Sequence, residues 1–393
     1  MQSIADDERR RRIGVRQHLA REARAADPVT AAGDLVGIHA TDPASVYLGL
    51  RARVSDLTPD AVATALYDDR TLLKILGMRR TMFVTPVDVA AVVQAGVTLA
   101  LHAAQRRRLI GMIRDAGITD DPEAWLTRAE AETLDALDAL GEATAADLAK
   151  RVPALRQQLS FGAGRKWQGT VGVSTRLLFL LATEGRIIRG CPKGSWLSSL
   201  YRWAPIDRWI EGGLEPWPPN RARAELARRW LRAFGPGTRR DMQWWTGWTV
   251  AQTKAAIADV GAVEVALDGG QPGLALADDV EGRTPEPAPW AALLPALDTT
   301  TMAWADRAFY LAEHAAALFD RNGNAGPTIW VDGRVVGGWA QRPDGAVVHR
   351  LFEDVGCERV RLIEAEIEAV EAWLGPNRVI PRFRTPTEVE LAG

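Results

Sequence analysis

Apolar positions recur at helical and strand spacing in an order that repeats three times along the 393-residue chain. In the first stretch, Arg9–Ala25 places Ile13, Gln17, Leu19 and Ala20 near one face of a helix. Ala31–His39 predicts a second helix. Asp42-Pro43 supplies an N-cap followed by a first-turn proline, which opens a third helix carrying Tyr47, Leu48 and Leu50. Thr58-Pro59 opens another in the same way, and Arg80–Val84 is β-branched and aromatic enough for a strand.

The second stretch is the clearest. Thr127–Leu140, with Leu134, Leu137 and Leu140, predicts a helix that Gly141 breaks. Thr144–Arg151 is a short second helix and Ser174–Glu184 an apolar third. Strand, glycine-proline turn and strand follow up to Pro205. A helix-turn-helix followed at once by a hairpin is the winged-helix pattern. Between its second and third helices, the glycine-rich stretch Ser160–Gly172 reads as a mobile loop. There Arg165 and Lys166 stand beside Trp167, a combination suited to phosphate contact and base stacking, or to an ordinary surface loop with Trp167 folded inward.

The third stretch has helices at Arg221–Phe234, Thr238–Trp245 and Thr249–Val260, then two strands flanking the turn Asp268-Gly269-Gly270. Glu281–Pro289 reads as a linker. Beyond it, Pro327–Val331, Arg334–Gln341 and Ala346–Leu351 alternate like strands, and Val360–Leu374 closes as an amphipathic helix. The resulting expectation is an α+β fold. It has three tandem winged-helix units (1–110, 111–215 and 216–280) and a C-terminal β-rich, barrel-like region (290–393).

Composition narrows the function. Hydrophobic residues at 47% and charged residues at 25% describe a folded globular chain, not a disordered one. The pattern offers no run of about eighteen apolar residues for a membrane span, and no apolar leader near Met1. Cys191 and Cys357 are isolated, and His18, His102, His314 and His349 share no ligand spacing, so neither a metal nor a cofactor is expected. A reducing cytoplasm suits the cysteine usage. The net charge of −2 hides a basic segment: Arg151–Ile210 holds ten Lys/Arg and two acids, against three and ten in Gly111–Lys150. That asymmetry points to a polyanion. Candidate DNA contacts are Arg51, Arg53, Arg79 and Arg80 around the first unit, with Arg165, Lys166, Trp167, Arg176 and Lys193 in the second.

Taken with three stretches, LVGIHATDPASVYLGLRAR, LLPALDTTTMAWADR and DRNGNAGPTIWVDGRVVGGWAQR, the chain resembles the AlkZ-like tandem winged-helix DNA glycosylases over nearly its whole length. The resemblance implies a C-shaped molecule with a concave channel for a DNA duplex. It also implies monofunctional excision of bulky N7-alkylpurine adducts, often as self-resistance to a genotoxic natural product, by a chain working as a monomer. The family's catalytic motif is Gln, an apolar residue, then Gln, or Gln, apolar, Asp. The matching positions here are His39, Ala40 and Thr41, so both polar ends have changed. His39 and Thr41 are nonetheless the catalytic candidates: an imidazole can orient or deprotonate a water, and a hydroxyl can hold it. A histidine that titrates near neutral pH would make excision slow down as pH falls. The adjacent Asp306 and Arg307 are expected to pair as scaffold. The competing reading is a non-catalytic winged-helix DNA-binding protein, a regulator or lesion sensor, in which the altered motif marks a dead site.

Overall fold

The computed structural model describes residues 2–162 and 168–393. Its fold is a mixed α+β arrangement of helices and hairpins. The helices begin where side chains can satisfy their free N–H groups. Asp27 caps α1 (Pro28–Asp34), Asp42 caps α2 (Pro43–Arg51) and Asp121 caps α4 (Pro122–Leu140), each followed by a proline in the first turn. Between α2 and α4 runs α3 (Val87–Asp115). Thr144 opens α5 (Ala145–Arg151), which is followed by α6 (Val173–Glu184). After α7 (Pro219–Phe234), reciprocal Thr–Asp and Thr–Gln capping boxes start α8 (Arg239–Thr246) and α9 (Val250–Asp259). The last long helix is α10 (Gly356–Leu374).

Three hairpins follow three helix clusters, and the first two fuse. β1 (Ile38–His39), β2 (Leu72–Leu76) and β3 (Met82–Pro86) join β4 (Ile187–Pro192) and β5 (Tyr201–Pro205) in one five-stranded sheet. The order is β1-β3-β2-β4-β5, with Lys74 opposite Arg189 at the seam. The turn after β4 is stapled to the rest of the molecule: Trp196 lies 4.6 Å from Tyr47 and 5.8 Å from Trp373, ring to ring. The third hairpin, β6 (Val263–Leu267) with β7 (Pro272–Ala275), turns on Gly269 and Gly270, both at positive φ. The N-terminal residues Ser3–Ile4 add a parallel strand to it.

In the C-terminal region β8 (Ala291–Leu294), β9 (Thr328–Val331), β10 (Arg334–Gln341) and β11 (Val347–Leu351) form an antiparallel sheet in sequence order. Its two outer strands do not pair with each other, so the region is an open sheet and not the barrel expected from sequence. Ile363, Val370 and Leu374 of α10 pack on Leu293, Ile329 and Val336 and so cover one face. Most tryptophans are interior. Trp245, Phe234, Trp304, Tyr310 and Trp330 run ring to ring through the main core, 5.0–5.9 Å apart.

Several segments depart from the sequence pattern. The first helix spans Asp6–Arg16 and stops short of Ala25. Chain 160–172, expected as a loop, begins and ends in a hairpin in which Leu159 faces Val171; Arg165, Lys166 and Trp167 lie outside the described residues. The stretch Val87–Asp115 is long and apolar enough to cross a membrane, contrary to the reading of the bare sequence, but its apolar residues Val89, Ala90, Val92 and Val93 are core residues packed with Leu226 and Trp230 of α7.

Candidate active site

The expected helix Ala31–His39 ends at Asp34. Val36 and Gly37 take positive φ and swing the chain into β1, where Ile38 faces Val84 and His39 faces Phe83. A Cβ on Gly37 would stand 2.6 Å from the Thr85 methyl, so glycine is required on two counts. The motif is tied down on both sides. The His39 N–H donates to Thr299 Oγ1 at 2.9 Å, and Thr299 Oγ1 donates to the Gly37 carbonyl at 3.1 Å. The Ala40 N–H bonds the Met82 carbonyl at 2.7 Å, and the Met82 N–H reaches Thr41 Oγ1 at 3.4 Å. Asp42 caps α2 through the Ala44 N–H and accepts the Arg382 N–H at 2.9 Å.

His39 is 3% exposed, and its ring meets Phe83 edge-on with 5.2 Å between centroids. Its Nδ1 is buried without a partner. Burial, with the Arg79 guanidinium adding to it, drives its pKa down to about 3. His39 is therefore neutral at physiological pH, and the near-neutral titration expected from sequence does not occur. A group whose conjugate acid is that strong is a weak proton abstractor. It remains a competent hydrogen-bond partner that can fix the direction of a water. Thr41 is half-buried just beyond β1.

The arginines separate into two groups. Arg53 is wholly buried, bound to both Asp298 oxygens at 2.9 and 2.7 Å and to Thr300 Oγ1 at 2.8 Å. Arg51 shares Glu366 with Arg24, at 2.7 and 3.0 Å. Both are internal braces, which corrects their assignment as DNA contacts. Arg79 and Arg80 form the turn between β2 and β3, each with positive φ (52° and 61°). Arg80 is exposed, whereas Arg79 lies 3.9 Å over the Trp244 indole of α8. Burial, then the neighbouring Arg307, lowers the Arg79 pKa to about 10.

Arg307 lies 5.0 Å over the same indole and 4.7 Å over Phe319. It does not pair with Asp306, whose carboxylate accepts the Ala308 N–H instead. Sequence reasoning missed Trp244 and the stacking of Arg307 on it; the run AWADR held the signal for the second. Farther off, Arg176 of α6 is half-buried against Arg108, which lowers its pKa after burial does, and Lys193 is exposed in the turn after β4.

The site thus combines the buried His39 imidazole and the half-buried Thr41 with Arg79 and Arg307 set on the Trp244 indole. Residues 32–373 match the family model described as DNA glycosylase AlkZ-like. The chain belongs to that family and is a DNA glycosylase, a hydrolase of N-glycosyl bonds. Its fold is similar to that of Streptomyces sahachiroi DNA glycosylase AlkZ, with a TM-score of 0.72 and 20% identity over 96% of this chain and 98% of that one. No curated protein sequence matches it.

Proposed function

We propose that this chain hydrolyses the N-glycosidic bond of bulky N7-alkylpurine adducts in duplex DNA, as self-resistance to a DNA-alkylating natural product. In this reading the three helix-and-hairpin clusters act as tandem winged-helix units around a concave channel, in a cytoplasmic monomer. The observation that carries it is His39, at the family's motif position, neutral and with a buried Nδ1 that lacks a partner. An N7-alkylated guanine already carries positive charge and leaves readily, so the enzyme needs no strong acid. It must place a water near C1′ and tolerate a cationic sugar. His39 orients that water through a lone pair, and Thr41 supplies a second hydrogen bond. Arg80, Arg176 and Lys193, free of the internal ion pairs that hold Arg51 and Arg53, meet backbone phosphates.

The test is single-turnover excision from duplexes carrying either N7-methylguanine or a bulky N7-alkylguanine, scored as abasic sites. Faster release of the bulky adduct is expected. His39→Ala should lose on the order of 10²-fold in rate, the scale of a misplaced reactant, with DNA affinity retained. His39→Gln should retain excision, because an amide can also hold a water. A His39→Ala rate equal to the parent's would overturn the assignment.

A further inference from the structure

Two guanidinium groups share one indole near His39. Arg79 and Arg307 sit 3.9 and 5.0 Å over the Trp244 ring. Arg51 and Arg53 meet carboxylates, but among the described residues none pairs with Arg79 or Arg307. The Nε of each and Nη2 of Arg307 are buried without a partner. Buried donors left open, on two like charges close enough to depress the Arg79 pKa, are unfavourable unless an anion completes them. The backbone around Arg79 is also held in the left-handed region, a conformation that costs energy and collects at functional sites. Arg307 further bears on the Tyr310 hydroxyl, which itself donates to the Thr301 carbonyl.

We propose that Arg79 and Arg307, set on Trp244, form a clamp for a single DNA phosphodiester next to the nucleotide that reacts at His39. This rests on reading the chain as a glycosylase acting at that motif. A phosphodiester has two non-bridging oxygens, which match two guanidinium forks. The clamp draws one arm from the turn after β2 and the other from the segment after Trp304, so it closes only when these distant parts of the chain are docked.

The test uses the full chain and a duplex with one N7-alkylguanine, in which each phosphate within three positions of the lesion is replaced in turn by neutral methylphosphonate. One position is expected to weaken parent binding by about ten- to a hundred-fold, the scale of a lost charge-assisted contact. Arg79→Gln and Arg307→Gln should weaken binding to the ordinary duplex by a similar factor. Each should then bind that one methylphosphonate duplex as well as the parent does. Arg79→Lys, which keeps the charge and the fold, should fall between. If the two arginines couple to different phosphates, or to none, while the parent still binds and excises, the clamp is wrong and the glycosylase reading stands. If the parent neither binds nor excises, both fall.

Discussion

Lowering the pH from 7.5 to 5.0 should destabilise the folded chain by about 2 kcal/mol through His39 alone. In the unfolded chain this imidazole takes its proton near pH 6.5, whereas burial and Arg79 hold the folded pKa at about 3. Between those values the unfolded state binds a proton that the folded state refuses. The sign follows: stability is full above about pH 6.5, declines as pH falls, and levels off below about 3. At pH 5.0 the difference in proton binding integrates to about 2 kcal/mol, at about 1.4 kcal/mol per pKa unit. The assay is urea unfolding of the parent and His39→Gln at both pH values. Glu8 and Asp27 also carry lowered pKa values, through the Arg12 and Thr284 bonds and the Thr30 and Val29 bonds respectively, against the opposing effect of burial. Their acid sensitivity is common to both proteins and cancels. His39→Gln should therefore lose less stability than the parent between pH 7.5 and 5.0. Equal losses in the two proteins would refute the buried, neutral state, and so would an excision rate that bends near pH 6.5.

Arg53→Met should destabilise the fold by about 3–5 kcal/mol by stranding Asp298, with no change in the salt dependence of DNA binding; thermal unfolding and a salt titration check both halves. Arg80→Gly should raise stability by about 0.5–1 kcal/mol, because the left-handed cost to an L-residue exceeds the added entropy of glycine in the unfolded chain; a lower unfolding midpoint would contradict this. Lys193→Ala should leave stability unchanged and make the slope of log K against log salt shallower by about 0.9 if it neutralises one phosphate; an unaltered slope removes it from the interface.

Much of the fold is legible in local sequence because its helices start on chemical caps. Asp42-Pro43, Thr144, Thr238 and Thr249 each sit where an N–H would otherwise be open, and the strand Arg334–Gln341 reads with its observed limits. The site was less legible because its geometry is set across the chain. Residues Val36 to His39 look like the end of a helix until β3 pairs with them, and nothing in the motif announces that partner. Arg53 looks like a DNA contact until Asp298, 245 residues away, is folded against it. The same blindness applies to pKa: the sequence supplies a histidine, but only packing supplies the burial that keeps it neutral.

The internal brace and the His39 motif are one construction. Asp298 is fixed by Arg53, and the next residue, Thr299, holds the His39 N–H and the Gly37 carbonyl. Thr300, next again, is bonded by Arg53 and donates to Gln17 of the N-terminal segment. A single run of three residues thus sets the register of β1 from outside its own sheet, while Arg307, a few residues farther on, reaches Trp244 beside Arg79. The arginine that sequence reasoning placed on DNA instead fixes, from the interior, the segment against which the motif is aligned. Loss of Arg53 should therefore reduce excision through misplacement of His39 even at temperatures where the variant remains folded. That effect is distinguishable from a lost phosphate contact, because it would lower the single-turnover rate at saturating enzyme without altering the salt slope of binding.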